Sequence, residues 1–272
     1  MPELPEVETV RKTLSSLVVG KTIADIEIGW PKMIKEPDDV SVFRDQVIGQ
    51  TIVDIERTGK FLRFILTDYV LVSHLRMEGK YNTSNDEVDK HTHVRFFFTD
   101  ETELRYRDVR KFGTMHLFVK GTEFDRAPLN KVGPEPFNER YTVSYLHEKF
   151  QRTTRSIKAV LLDQAIVAGL GNIYVDEALH RSGVLPGRVA NTLRQDEIQR
   201  LHKETIQTLE EAIASGGSSI RSYLNGNGEM GYFQQKLFVY GRKNEPCKTC
   251  EGTIIRSVVA GRGTHYCPDC QS

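Results

Sequence analysis

All four cysteines of the chain lie within its last 26 residues. Cys247 and Cys250 form one C-x2-C pair, and Cys267 and Cys270 form a second pair after 16 intervening residues. Two such pairs at this separation are typical of a tetrahedral structural zinc site, in which four thiolates leave no open position for a substrate. A redox dithiol pair and a set of unligated thiols are the alternatives. We therefore predict one structural zinc ion and a small metal-bound module at residues 236–272.

The composition excludes several other classes of protein. Charged residues make up 27% and hydrophobic residues 39% of the 272 residues, with a mean hydropathy of −0.41, which is typical of a globular protein. No stretch approaches 18 consecutive apolar residues, so we expect no transmembrane helix. The first twenty residues contain Glu3, Glu6 and Glu8 and no apolar block, unlike a secretory signal. Without such a signal we expect a protein of the reducing cytoplasm, where a cysteine cluster more often binds metal than forms disulfides.

The charge balance excludes a globally basic protein. Lysine and arginine together number 37 and aspartate and glutamate also number 37, so the formal net charge is zero. A polyanionic partner such as nucleic acid would have to be bound by a local patch. One such patch is predicted where Arg105, Arg107, Arg110 and Lys111 accompany a single acidic residue, Asp108.

The periodicity of apolar residues predicts an α+β protein with two domains. Val7, Val10 and Leu14 have helical spacing, which predicts a helix over residues 3–19. Short β-branched and aromatic runs between residues 23 and 117 predict an antiparallel sandwich or barrel. Helices are predicted over 143–151, 156–166, 173–182 and 195–215. The stiff segment 133–136 marks a boundary, so we predict a first domain over 1–132, a linker and first helix over 133–150, a helical domain with a Gly-rich loop over 151–235, and the cysteine module over 236–272.

The N-terminus offers an unusual nucleophile. Removal of Met1 would leave Pro2 with a terminal secondary amine, and amines of this kind act as covalent catalysts. Glu3 beside it is a candidate acid or base. The structural alternative is that Pro2 and Pro5 only begin a helix, whose N-terminal end favours nearby carboxylates.

Two glycine-rich turns are candidate phosphate sites. In the segment 168–173, backbone N–H groups and a helix N-terminus could bind a phosphate, and Asn172 could equally be the N-cap of the next helix. In the segment 261–264, Arg262 lies between two glycines at the tip of a predicted hairpin, where it could approach a phosphate closely. The alternative for the second segment is an ordinary tight turn.

Taken together, these segments resemble the formamidopyrimidine-DNA glycosylase family over the whole chain. The resemblance rests on the opening Pro-Glu-Leu-Pro-Glu, on His74–Gly79, on Asp108–Gly113, on Gly169–Tyr174 and on the terminal cysteines with Arg262. Leu4 favours this branch over the similar endonuclease VIII branch, which typically has glycine at that position.

The resemblance implies a fold and an activity. The fold is an N-terminal helix with an antiparallel β-sandwich, followed by a helix-two-turns-helix domain and a zinc finger. The activity is excision of oxidised purines, chiefly 8-oxoguanine and formamidopyrimidines, from double-stranded DNA, followed by cleavage of the abasic strand. By the same resemblance, Pro2 is the nucleophile, Glu3 the acid or base, Lys60 a contributor to β-elimination and Arg262 the arginine of δ-elimination.

The resemblance also implies DNA contacts. Met77, Arg110 and Phe112 match side chains that fill the void left by a base flipped out of the duplex; taken alone, Met77 and Phe112 would also suit ordinary core packing. His93, Asn172 and His74 match further DNA-binding positions, and Ser218, Arg221 and Tyr223 lie in the loop that would cover the flipped base.

Some alternatives remain open from the sequence. Thr153 occupies a position where a phosphate-binding lysine is common, so that contact is in doubt. A related glycosylase for oxidised pyrimidines and a zinc-finger DNA-binding protein without catalytic activity are the competing functions. We expect a monomer with duplex DNA as its partner and no membrane association.

Overall fold

A computed structural model describes residues 1–83, 87–218 and 231–272 of the chain. Its contacts divide the chain into two compact units. The first comprises residues 1–130 with 216–231, and the second comprises residues 131–215 with 232–272. Within the described residues, no helix has both the length and the apolar character needed to cross a membrane.

The first unit is a helix-flanked β-sandwich. Its elements in chain order are α1 (Leu4–Val18), β1 (Ile23–Ile28), β2 (Ile34–Glu36), α2 (Val40–Val47), β3 (Ile52–Thr58), β4 (Phe61–Leu66), β5 (Tyr69–His74), β6 (Lys80–Asn82), β7 (Thr92–Phe98), β8 (Glu103–Arg107) and β9 (Thr114–Val119). One sheet has the strand order β1-β7-β8-β6 and the other the order β2-β9-β5-β4-β3. All pairings are antiparallel except that of the three-residue β2, which runs parallel to β9. The predicted sandwich is confirmed.

The core of the first unit is shared by α1 and both sheets. Val7, Val10 and Leu14 on α1 are buried, with Phe64 of one sheet and Phe96 of the other in the same apolar cluster. The apolar residues that have helical spacing in the sequence therefore form the face of α1 that packs on the sandwich. Burial of this face fixes the position of the N-terminal residues that precede it.

The second unit is helical and ends in a β-hairpin. It contains α3 (Val143–Gln151), α4 (Ile157–Leu162), α5 (Asn172–Ser182), α6 (Gln195–Ala214), β10 (Ile255–Val259) and β11 (Arg262–Tyr266). Short 3₁₀ turns occur at Pro31–Met33, Leu129–Lys131, Ala190–Thr192 and Phe233–Lys236.

The sequence predicts a helix over 156–166, but the corresponding helix α4 ends at Leu162. Asp163 leaves the helical conformation, and its side chain accepts a hydrogen bond from the backbone N–H of Ala165 at 3.0 Å. This local bond offers the backbone an alternative to the next helical turn.

Candidate functional site

The four cysteine sulfurs converge at one point of the second unit. All four lie within 4.8 Å of one another, with Sγ–Sγ distances of 3.8 Å for Cys247 and Cys270 and 3.5 Å for Cys250 and Cys267. Four sulfurs about 2.3 Å from a tetrahedral zinc ion would be separated by about 3.8 Å. Within the described part of the chain, no other group of histidine, cysteine or carboxylate side chains forms such a cluster. The residues therefore fit one structural zinc ion.

The start of α1 holds the candidate nucleophile and acid in a buried position. Pro2 is buried, and Glu3 is only 3% exposed, whereas Met1 is 49% exposed. Glu3 is the N-cap of α1, and its backbone N–H donates to Glu6 Oε2 at 2.9 Å. The second oxygen of Glu6 accepts hydrogen bonds from the N–H of Ser218 at 2.7 Å and from its hydroxyl at 3.2 Å. Glu6 thus joins the Pro2–Glu3 segment to the first residues of the loop 216–231.

Lys60 lies at the turn between β3 and β4, and its side chain is largely buried. The preceding residue, Gly59, has a φ of +57°, a left-handed conformation that glycine adopts without strain. The Arg57 guanidinium donates to the Gly59 carbonyl at 2.9 Å and to Glu8 on α1 at 3.0 Å. This ion pair therefore ties the turn that carries Lys60 to α1.

His74 shapes the loop that carries Met77. Its Nδ1 accepts a hydrogen bond from the backbone N–H of Arg76 at 2.9 Å, and its ring packs edge-on against Phe61 at a centroid distance of 4.6 Å. Arg76 has a φ of +53°, so the hydrogen bond supports a conformation that non-glycine residues rarely adopt. Burial, reinforced by the nearby Arg76 charge, lowers the pKa of His74 to about 3. The imidazole is therefore neutral at physiological pH, and Met77 beyond it is exposed.

The Asp108 carboxylate organises the loop that carries Arg110 and Phe112. Asp108 is fully buried and accepts hydrogen bonds from the backbone N–H of Arg110 at 3.0 Å and of Gly113 at 2.8 Å. His93, also buried, donates from Nε2 to the Asp108 carbonyl at 2.9 Å. Phe112 is 51% exposed at the loop surface, with the Arg110 guanidinium over its ring at 4.8 Å. An exposed aromatic ring beneath an arginine is suited to stacking on a base.

Tyr106 brings the Met77 and Phe112 loops together. Its buried ring packs so closely on Gly79 and Gly113 that a methyl group on either glycine would overlap the tyrosine hydroxyl. Gly79 lies two residues after Met77, and Gly113 directly follows Phe112. The two loops are therefore held against one side chain, so Met77, Arg110 and Phe112 belong to neighbouring surface loops rather than to the core.

The glycine-rich turn before α5 is shaped by a glutamine side chain. Gln164 accepts a hydrogen bond from the N–H of Gly169 at 3.0 Å and donates to the Leu170 carbonyl at 2.8 Å. Gly171 is the N-cap of α5, so the N-cap role predicted for Asn172 is wrong: Asn172 is the first residue of the helix. Its side chain donates to the Gly263 carbonyl at 2.9 Å instead.

The predicted hairpin of the cysteine module is confirmed, with Arg262 one residue beyond its tip. Ala260 and Gly261 form the two-residue turn, with φ values of +52° and +70°. Arg262 begins β11, pairs with Val259 and is exposed. The arginine is thus presented on a short and geometrically defined turn.

The remaining candidates are placed as follows. Ser218 is buried and bound to Glu6, whereas Arg221 and Tyr223 lie outside the described residues. The hydroxyl of Thr153 accepts a hydrogen bond from the N–H of Arg155 at 3.2 Å. This position therefore holds a threonine hydroxyl bonded to the main chain, and not the side chain of a phosphate-binding lysine.

Several residues that organise the site were given no such role by the sequence analysis. In the first unit, Glu6 and Asp108 accept main-chain hydrogen bonds and Tyr106 packs on two loops. In the second unit, Lys158 and Asp176 form a buried ion pair. The Glu3-x-x-Glu6 spacing is a capping-box pattern and could have indicated Glu6. Nothing local could have indicated the contact of Tyr106 with Gly79 or the bonds of Asp176 to Lys158 and His265, because these residues are distant in sequence.

Three family models match the chain. The formamidopyrimidine-DNA glycosylase N-terminal domain matches residues 1–115, the H2TH domain of the same family matches 132–223, and the zinc finger found in FPG and IleRS matches 244–272. The formamidopyrimidine-DNA glycosylase of Shouchella clausii is 63% identical over 100% of this chain and 99% of its own length.

The chain belongs to the formamidopyrimidine-DNA glycosylase family. Wild-type Lactococcus lactis Fpg in complex with an N7-benzyl-Fapy-dG-containing DNA matches with a TM-score of 0.93 and 43% identity, covering 100% of both chains. MutM in complex with carbocyclic 8-oxo-G-containing DNA matches with a TM-score of 0.92 and 43% identity over 100% of both chains. Membership confirms the α+β fold with its helix-two-turns-helix domain and zinc finger, and it assigns the chain to the DNA-binding glycosylases of DNA repair.

Proposed function

We propose that the chain excises oxidised purines from duplex DNA and then cleaves the abasic strand by β- and δ-elimination. The observation that carries the proposal is the buried Pro2–Glu3 segment at the head of α1, held by Glu6, in a chain that matches this family from end to end. The solved relatives with Fapy-dG and 8-oxo-G analogues in their DNA support the substrate class. The proposed enzyme acts as a monomer in the bacterial cytoplasm.

Base excision begins at the amine of Pro2 once Met1 has been removed. The Pro2 nitrogen forms a bond to C1′ of the damaged nucleotide, the bond from C1′ to the base nitrogen breaks, and the departing base takes up the proton that the Pro2 nitrogen loses. The C1′–O4′ bond then opens, and Glu3 supplies the proton that O4′ takes up. The product is an iminium ion joining Pro2 to the opened sugar.

The iminium makes strand cleavage possible without an oxidant. It withdraws electrons and acidifies the C2′ hydrogens, so loss of one proton breaks the C3′–O3′ bond in β-elimination. Lys60 is proposed to assist this step and to contact phosphate. Loss of the C4′ proton then breaks the C5′–O5′ bond in δ-elimination, for which Arg262 is the proposed assistant. Water hydrolyses the iminium, which releases an unsaturated aldehyde and restores Pro2.

Access to the sugar requires the damaged nucleotide to leave the base stack. We propose that Phe112 wedges into the base step, that Met77 fills the vacated space and that Arg110 reads the base left unpaired. The exposure of Met77 and Phe112 on loops joined through Tyr106 supports these roles.

Further DNA contacts are proposed for His93 and Asn172. For His74, which is buried and accepts a hydrogen bond from the Arg76 N–H, we propose an indirect contribution to DNA binding through the shape of the Met77 loop. Ser218, Arg221 and Tyr223 are proposed to cover the flipped base.

A paired substrate test distinguishes this function from the two alternatives. The protein is incubated with one duplex containing 8-oxoguanine opposite cytosine and another containing thymine glycol opposite adenine. We expect faster excision of 8-oxoguanine and strand ends that carry phosphates on both sides of the gap. Preference for thymine glycol would favour an oxidised-pyrimidine glycosylase. Binding without any cleavage would favour a non-catalytic DNA-binding protein.

A further inference from the structure

One face of α5 holds the hairpin that presents Arg262. Asn172, at the start of this helix, donates from Nδ2 to the Gly263 carbonyl at 2.9 Å. Asp176, one turn further along, accepts a hydrogen bond from the backbone N–H of His265 at 2.9 Å through Oδ2. Residues four apart on a helix share a face, so both contacts point at the main chain of β11 directly after Arg262.

A buried ion pair completes this connection. Lys158 on α4 and Asp176 have side chains that are both 0% exposed, with Nζ 2.6 Å from Oδ1. The same Nζ lies 3.3 Å from the Gly263 carbonyl, which thereby receives donors from both α4 and α5. Burial of two charges costs desolvation free energy, and an apolar pair of similar volume is often as stable. A gain in folding stability is therefore a weak explanation for this ion pair. Its direct bonds to the hairpin main chain instead constrain the position of the hairpin.

The hairpin leaves Arg262 little freedom of backbone position. On one side it is set by the tight turn at Ala260 and Gly261 and by pairing with Val259. On the other side, Gly263 and His265 are bonded to α4 and α5 as described. The backbone position of the exposed Arg262 is consequently constrained by a network centred on Asp176.

We propose that Asp176, acting with Lys158, is a positioning residue for Arg262 and is required for efficient δ-elimination but not for β-elimination. This inference rests on the proposed function. The two steps can separate because the β-elimination groups, Pro2 and Lys60, belong to the first unit, whereas the whole Asp176 network lies within the second.

Asp176→Asn is a specific test, because two hydrogen-bond donors face the Asp176 carboxylate. The two oxygens of Asp176 each face a donor, Lys158 Nζ on one side and the His265 N–H on the other. An asparagine has one oxygen and one NH2 group, so it must turn a donor toward one of these two donors. The substitution preserves shape while breaking one of the two connections.

The experiment measures both strand products from a duplex with an abasic site, using full-length, zinc-loaded protein. We expect the ratio of δ- to β-elimination product in Asp176→Asn to fall by about 10- to 100-fold, the range expected when a catalytic group is misplaced by a fraction of an ångström to about 1 Å. Zinc content and borohydride trapping of the covalent intermediate should match the wild type.

Glu177→Gln is the matched control. Glu177 is equally buried on the same helix, but it accepts hydrogen bonds from the N–H groups of Phe238, Val239 and Tyr240, which lie outside the hairpin. Its product ratio should stay at the wild-type value whatever its total activity.

A double variant guards against misfolding of the single one. Lys158→Met with Asp176→Leu removes both charges while keeping an apolar, filled interior, and it should show the same fall in product ratio with one zinc bound. An unchanged ratio in a zinc-bound variant, or an equal fall of both products, would overturn the positioning role. Absence of δ-product from the wild-type protein would instead contradict the proposed function itself.

Discussion

The backbone N–H of Ser218 donates to Glu6 Oε1 at 2.7 Å, across 212 positions of sequence. The other oxygen of the same carboxylate accepts the N–H of Glu3, so one buried side chain ties the catalytic candidates to the loop proposed to cover the base. Gly217 packs on this carboxylate so closely that an added methyl group would lie 2.8 Å from Oε1. The positions of Gly217 and Ser218 and that of the Pro2–Glu3 segment are therefore coupled through Glu6.

Glu6→Gln should impair base excision more than cleavage of a preformed abasic site. A glutamine cannot accept both backbone N–H donors, so one contact is lost in a buried setting, at a cost of about 1–3 kcal/mol of unfolding free energy. We expect excision of 8-oxoguanine to slow by about 10-fold or more, because misplaced groups lose rate steeply. Single-turnover rates on the two substrates measure this, with the exposed Asp25→Asn as the control. Equal slowing on both substrates would contradict a specific role for the coupling.

Arg110→Ala should reduce discrimination between partner bases more than general DNA affinity. A good bidentate contact from arginine to a base edge is worth about 1–3 kcal/mol of discrimination. Lys111→Ala is the neighbouring control, because Lys111 lies over the Trp30 ring at 4.1 Å and should change all duplexes alike. Excision rates on 8-oxoguanine paired with each of the four bases provide the test. A uniform loss across the four would show that Arg110 does not read the partner base.

Removal of zinc should abolish duplex binding while the first unit stays folded. The four thiolates belong to a small module whose folding free energy depends on metal binding. Chelation or Cys250→Ser should therefore disorder the Arg262 hairpin, whose strands lie between the second and third cysteines. Zinc stoichiometry and duplex binding, measured together, check this. Full affinity in a metal-free protein would refute it.

Acidification should lower the free energy of unfolding, because His74 is protonated more readily in the unfolded chain than in the folded protein. Burial lowers the folded-state pKa of His74 to about 3, with smaller effects of Arg76, Lys60 and His116. The unfolded chain binds a proton below about pH 6.5 and the native state does not, so stability is lost as the pH falls from 6.5 toward 3. Between pH 7 and pH 5 the wild type should lose about 2 kcal/mol more than His74→Gln. Denaturant unfolding at both pH values measures the difference, and identical losses would contradict a neutral buried imidazole.

The sequence predicted those features that depend on the spacing of residues close together in the chain. The spacing of Val7, Val10 and Leu14 indicated α1, which spans Leu4–Val18, because an apolar stripe of that period can be buried only as a helix. The cysteine spacing likewise indicated the metal site, since ligand separation along the chain is itself the signal.

The sequence could not predict contacts between distant segments. The ion pair between Lys158 and Asp176 and the bond from Asp176 to His265 depend on the packing of α4, α5 and the hairpin. Asn172 shows the same limit, because its residue type favours an N-cap although its side chain bonds to Gly263 instead. Chemical type alone does not identify a tertiary partner.

We propose that base excision joins the terminal nitrogen of Pro2 covalently to the sugar. Met1 is half exposed, whereas Pro2 and Glu3 beyond it are buried. A retained Met1 would leave the Pro2 nitrogen as a tertiary amide with no nucleophilic lone pair. Intact mass identifies the processed and unprocessed forms before reaction.

The decisive measurement is borohydride reduction during incubation with an 8-oxoguanine duplex, followed by peptide mapping of the adduct. We predict a trapped protein–DNA adduct that maps to Pro2 and forms only from protein lacking Met1. An adduct that maps to Lys60, or full activity of protein that retains Met1, would show that Pro2 is not the nucleophile.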